Sequence, residues 1–208
     1  MLHRATVEPG TFLVLEELLA LPELSEFSLV GGTALSLLFG HRKSIDLDLF
    51  SSSAFDQKLL SNLLQKRFGN DFKNESPKLS FALFCFIHQI KIDLLHYPHP
   101  LLKPVQVIEG IRIYSVEDIA AMKIKAILGR GVKKDFWDLA ELLNHFSLSQ
   151  ILDFYGSKYP NHSMLISIPN ALTYFEDAEN SPSPVSLNHM DWSQVKTLIK
   201  KRVSDFLR

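Results

Sequence analysis

Asp46 and Asp48 stand two apart in the run Ile45-Asp46-Leu47-Asp48-Leu49-Phe50, where charged and apolar residues alternate. Alternation with period two marks a half-buried strand, so both carboxylates would point to one face while Leu47 and Leu49 fill the other. Carboxylates placed side by side repel, and the arrangement costs stability unless a cation lies between them. Hard divalent ions such as Mg²⁺ favour carboxylate oxygen and often share one or two carboxylates with substrate phosphates. A solvated edge strand with acidic outer residues would produce the same tripeptide. A third carboxylate, Asp93, lies on the strand-like run Lys91-Ile92-Asp93-Leu94-Leu95. Beside the first two it would complete a cradle for two metals and in-line phosphoryl displacement; it could equally pair with Lys91.

Upstream, Gly31-Gly32-Thr33 separates a short apolar run from a helix-like one. Glycines permit a tight turn and close backbone approach, and N–H groups at a helix N-terminus bind phosphate. A plain turn needs the same residues, and no Lys-Ser/Thr follows as in a Walker loop. Further along, Asp135 and Asp138 are three apart and share a helix face. Asp118 follows Ser115 at capping distance. Lys123 and Lys125 cannot share a helix face, so at most one should enter a cleft. Arg130, Lys133 and Lys134, beside a glycine turn, could contact phosphate or lie in water. His96 and His99 lack partners at metal-ligand spacing, Lys200-Lys201-Arg202 reads as the wet face of the last helix, and neither Gly-x-Ser-x-Gly nor a poised Cys is present.

The elements that must position these residues follow from periodicity and breakers. Helices are expected over Thr11–Leu21, Thr33–Phe39 with Gly40 just past its end, and about Ala54–Phe68 capped from Ser51–Ser53. Strands are expected over Phe27–Val30, Asp46–Phe50, Phe81–Ile87, Lys91–His96, Val105–Ile108 and Ile111–Tyr114. From residue 115 the texture turns helical: Ser115–Leu128, Lys134–Phe146, Ser149–Tyr159, Met164–Phe175 and Trp192–Leu207, with a Pro/Ser/Asn-rich loop at Asn180–Asn188. The expected fold class is α+β: residues 1–114 form a core with a mixed sheet and flanking helices, and residues 115–208 a helical region that completes the cleft.

Composition narrows the partners. With 46% hydrophobic and 22% charged residues the 208-residue chain reads as an ordinary globular protein. A formal net charge of −1 gives no overall reason for nucleic-acid binding and leaves only a local basic patch. Cys85 is the one cysteine, so no internal disulfide can form, and a reducing cytoplasm is the expected compartment. No apolar run suggests export or a membrane span.

Order and spacing add what the single motifs lack. Gly31-Gly32-Thr33, a helix, His41-Arg42-Lys43-Ser44, Asp46-x-Asp48, Lys91-Ile92-Asp93, Asp118 with Lys123, then Lys134-Asp135-x-x-Asp138-Leu139 closely resembles the AbiEii/AbiGii toxin family, within the DNA polymerase beta-like nucleotidyltransferases. The resemblance spans about Phe27 to Leu143. It implies that Gly31, Gly32 and Thr33 hold the β- and γ-phosphates of an NTP. It implies that Asp46 and Asp48 bind the metals, Mg²⁺, and that Asp93 completes the metal site and helps activate the acceptor hydroxyl.

 It further implies that Lys123 contacts the triphosphate, that Asp118, Asp135 and Asp138 shape the nucleotide side of the cleft, and that Arg42 is a phosphate contact. Lys134 stands where the family often has Arg, and Gly-Gly replaces the Gly-Ser of the wider superfamily. The implied activity is Mg²⁺-dependent transfer of an NMP from an NTP to an acceptor, RNA and first of all tRNA. The implied setting is the toxin of a toxin–antitoxin or phage-defence pair whose partner is a winged-helix regulator. A non-catalytic NTP-binding module, or a phosphohydrolase or nuclease using the same cradle, would carry the same residues.

Overall fold

The computed structural model describes residues 1–77, 81–160 and 167–208. Helix α1 (Pro9–Leu19) leads into strand β1 (Ser28–Val30), helix α2 (Gly31–Phe39) and strand β2 (Leu47–Ser51). Helix α3 (Gln57–Phe68) follows, then β3 (Phe72–Asn74), β4 (Ala82–Ile87), β5 (Ile90–His96), β6 (Gln106–Ile108) and β7 (Ile111–Ile113). Among the described residues after β7 the elements are helices: α4 (Val116–Gly129), α5 (Lys133–His145), α6 (Leu148–Lys158), α7 (Ile168–Leu172), α8 (Glu176–Glu179) and α9 (Trp192–Phe206). No helix among the described residues is long and apolar enough to cross a membrane.

The strands make one mixed sheet in the order β3-β4-β5-β2-β1-β7-β6. β2 runs parallel to β5 and β1 parallel to β7, while the other neighbours are antiparallel. The β4–β5 hairpin turns on His88 and Gln89, both at positive φ (49° and 65°), the geometry that matches strand twist in a two-residue turn.

Alternation sorts the two faces. Leu47 and Leu49 of β2, Ile92 and Leu94 of β5, and Leu83, Cys85 and Ile87 of β4 are buried on one face. Helix α3 packs on β3 and β4 there and contributes Leu60, Leu64 and Phe68 to the core. Each such side chain stabilises the fold by about 1.5–3 kcal/mol when fully buried. On the opposite face α2 packs on β1 and β2, and α4 and α5 pack on α2. The carboxylate face of β2 and β5 therefore forms the floor of a cleft walled by α4 and α5. Residue 115 falls between β7 and α4, yet side chains from both sides of that point line the cleft.

Some boundaries differ from the sequence expectation for physical reasons. Asp56 rather than Ser51–Ser53 caps α3, accepting from Leu59 N at 2.9 Å, so the helix starts at Gln57. Strand β3 was not expected, because Phe-Lys-Asn holds one apolar residue and shows no period. Asp46 lies one residue before β2. The helix expected over Met164–Phe175 begins outside the described residues; those described form the shorter α7, which stops at Leu172, and α8 starts only past the expected end.

Candidate active site

Register brings the carboxylates together. Asp48 is the Cα partner of Asp93 across the parallel β2–β5 pair, and of Val30 across β1–β2. Asp46, two residues earlier, lines the same cleft as Asp48 and Asp93. The cavity has a volume of about 370 Å³, and Gly31, Lys91, Lys123, Arg130 and Lys134 also line it.

The two glycines have different reasons. Gly31 opens α2 at φ +72°, and a Cβ there would lie 2.4 Å from Asp48 Oδ2. Only glycine lets the chain turn from β1 into α2 against that carboxylate. At Gly32 a Cβ would lie 2.1 Å from Arg42 Nη2, so its absence makes room for a guanidinium. Thr33 is buried, and its hydroxyl bonds Ser44 Oγ at 2.8 Å and the Asp46 carbonyl. It thus anchors the entry to β2 instead of facing the cleft.

The cleft carboxylates are lightly held. Lys91 Nζ donates to Asp93 Oδ2 at 2.6 Å and Lys134 Nζ to Asp46 Oδ2 at 3.2 Å, both from partly exposed side chains. Asp93 Oδ1 is buried with no hydrogen-bond partner. Burial first, and the neighbouring Asp93 second, raise the Asp48 carboxyl above its ordinary value, against the opposing pull of Lys123 and Lys91.

Beneath them lies a second, closed ionic cluster. Asp138 accepts from His41 Nε2 at 2.7 Å, from Arg42 Nε at 2.7 Å and from Arg42 Nη2 at 2.9 Å. Lys123 Nζ reaches Asp138 Oδ2 at 2.7 Å and Asp135 Oδ1 at 3.2 Å, and Arg130 forks onto both Asp135 oxygens. Burial alone would raise these two carboxyls. Arg42 and Lys123 overcome it at Asp138, holding it well below the usual range, and Lys123 and Arg130 lower Asp135. Arg42 is buried in this cluster, which gives it a positioning role under Gly32 in place of a free phosphate contact.

Asp118 stands apart from the cleft. It is fully buried, accepts from Leu102 N and Ser115 Oγ, and pairs with Lys158 Nζ at 2.6 Å. It ties α4 and α6 to the loop after β5, a role its capping position at Ser115 foreshadowed only in part. The expectation that one of Lys123 and Lys125 at most could enter the cleft is corrected: both line it. The long Lys125 stem reaches round α4 and carries its ammonium to 4.5 Å from the Tyr159 ring centroid. Tyr97, which lines the same end, was missed because its sequence neighbours offer no motif.

For a divalent cation the donors are suitable in kind: three carboxylates, with Asp93 Oδ1 lacking any partner. As placed, no group of three or more His, Cys, Asp or Glu among the described residues grips a common point. Lys91 and Lys134 occupy the oxygens a cation would need and would have to yield them.

The fold is that of nucleotidyltransferases. MenT4, a nucleotidyltransferase toxin from Mycobacterium tuberculosis H37Rv, superposes with a TM-score of 0.63 at 13% identity, covering 92% of this chain and 81% of that one. JHP933 from Helicobacter pylori gives 0.54 at 20% identity, covering 95% and 92%. In sequence, the uncharacterized protein aq_aa25 of Aquifex aeolicus (strain VF5) is 33% identical over 199 residues, 93% of this chain and 94% of that one. The family described as "Nucleotidyl transferase AbiEii toxin, Type IV TA system" matches residues 13–195. The chain belongs to that family.

Proposed function

We propose that the protein transfers a nucleoside monophosphate from an NTP to a hydroxyl of an RNA acceptor, tRNA being the first candidate. The observation that carries this reading is the register pairing of Asp48 with Asp93, with Asp46 beside them and the Gly31 turn opposite. The N-terminus of α2 presents backbone N–H groups to the triphosphate. Lys123, Arg130 and Lys134 offset its charge from the α4–α5 wall. Asp46, Asp48 and Asp93 are the residues that would hold Mg²⁺, which when bound supplies charge neutralisation for in-line displacement. Asp93, whose Oδ1 has no partner, would take the proton of the attacking hydroxyl. The buried Asp135–Asp138 cluster positions Lys123 from below.

Family membership supports a toxin in a toxin–antitoxin or phage-defence pair, working in the cytoplasm with a winged-helix antitoxin as partner. The test mixes the protein with Mg²⁺, total tRNA and each α-labelled NTP in turn, beside the Asp46→Ala/Asp48→Ala double variant. Label entering RNA with the parent protein only is the expected result, and the productive NTP names the donor. A folded double variant that still labels RNA would sink the mechanism.

A further inference from the structure

The carboxylate face of the sheet does not end at Asp93. Across β5, β4 and β3 the same register continues: Lys91 is the Cα partner of Phe86, and Phe86 that of Lys73. One row later, Asp93 is the partner of Phe84. Their neighbours Phe72, Leu83, Cys85, Ile87 and Ile92 are buried under the α3 side, whereas Lys73 and Lys91 are exposed and Phe84 and Phe86 partly so. Two hollows follow this row. One, of about 500 Å³, shares Asp46 and Lys91 with the cleft and is bounded by Phe86 and His88. The next, of about 580 Å³, shares Phe86 and His88 with the first and reaches Lys73.

We infer that this face of β3–β4–β5 is a platform for the single-stranded 3′ end of the RNA acceptor, an inference that rests on the nucleotidyl-transfer reading. In-line displacement requires the nucleophile and the leaving group on opposite sides of the phosphorus. The strand order sets β1 with the α2 N-terminus on one side of Asp48 and Asp93, and β4 and β3 on the other. A triphosphate on the α2 side leaves the β4 side for the acceptor. Phe84 and Phe86, two apart on one strand, offer ring surface on which bases can stack. Lys91 and Lys73 flank Phe86 with charge suited to phosphates, and the row from Asp46 to Lys73 crosses three strand spacings, about 14 Å. Glu75 pairs with Lys73 and Asp93 with Lys91, so each lysine exchanges a carboxylate partner for an RNA phosphate on binding; Glu8 and Asp71 stand at the rims of the two hollows. A duplex hides its base faces and cannot use the rings; an unpaired end can.

The test measures fluorescence anisotropy of a labelled single-stranded RNA 12-mer and of a hairpin duplex, with NTP binding followed separately. Phe86→Leu keeps apolar bulk without the ring and should weaken single-strand binding about tenfold, with NTP binding unchanged. Lys73→Ala should lower the slope of log affinity against log salt by about 0.7. Single-strand affinity unchanged in both variants, or a parent protein that prefers the duplex, overturns the platform while nucleotidyl transfer to another acceptor stands. A parent protein that binds no NTP overturns the transfer reading and with it the acceptor role of this face.

Discussion

Two sets of aspartates, one lining the cleft and one buried, behave in opposite ways. Asp135 and Asp138 are closed: each meets two or more cations, and their carboxyls are held low. Asp46, Asp48 and Asp93 are open: two meet one partly exposed lysine each, one oxygen has no partner, and the Asp48 carboxyl is raised. The same side chain thus serves as a structural anion where its charge is fully met, and as reserve binding capacity where it is not. The closed set is built for stability and the open set at its expense.

Removing members of each set separates the two roles. Asp46→Ala/Asp48→Ala should lower transfer by at least about a thousandfold, since the charge neutralisation they organise is worth several kcal/mol at the transition state. Its fold should remain, and Asp48→Asn alone should raise the melting temperature by about 2 °C by relieving repulsion from Asp93. Comparable melting loss in both sets would erase the distinction. Asp138→Ala should instead cost about 3–5 kcal/mol by leaving Arg42 and Lys123 buried without their partner. Denaturant titration of the folded protein measures this.

Acid sharpens the contrast further. A carboxyl held low contributes stability that is present above its unfolded value and lost as pH falls through the folded one, so Asp138 should make the parent protein lose stability below about pH 4. Asp48 has the opposite sign: its raised carboxyl favours the folded state at low pH and loses that benefit as pH rises through its folded value. Melting curves of Asp138→Asn and Asp48→Asn across acid pH should therefore diverge from the parent in opposite directions. Gly32→Ala drives a methyl into Arg42 and should cost about 1–3 kcal/mol. The smallest effect belongs to Lys134→Ala, under about 1 kcal/mol in stability because the lysine is partly exposed, with its loss read in KM for NTP.

The open set was legible in the sequence because alternation alone places Asp46 and Asp48 on one face and Asp93 on another strand's polar face. The closed set was only half legible. Spacing puts Asp135 and Asp138 on one helix face, but nothing local says that Arg42, on a loop nearly a hundred positions earlier, fills the space under Gly32. Asp118 shows the same limit: its cap to Ser115 is local and readable, while its ion pair with Lys158 depends on how α6 docks. Helix-face arithmetic also misjudged Lys125, since a four-carbon stem can carry its charge around a helix. Short strands with one apolar residue, such as β3, carry no period to read.

The segment after α8 clips back onto the loop between α2 and β2. Ser186 bridges Arg42, Lys43 N donates to the Val185 carbonyl at 2.8 Å, and Leu187 N donates to the His41 carbonyl at 2.8 Å. Closing contacts so far apart in the chain is slow, because the loop entropy is spent before the contacts form. The guanidinium that braces the glycine turn is therefore expected to be seated late in folding. In refolding, nucleotide binding should return after the sheet has formed, so that a partly folded molecule is an inactive one; NTP binding that recovers together with the earliest strand signals would contradict this order of assembly.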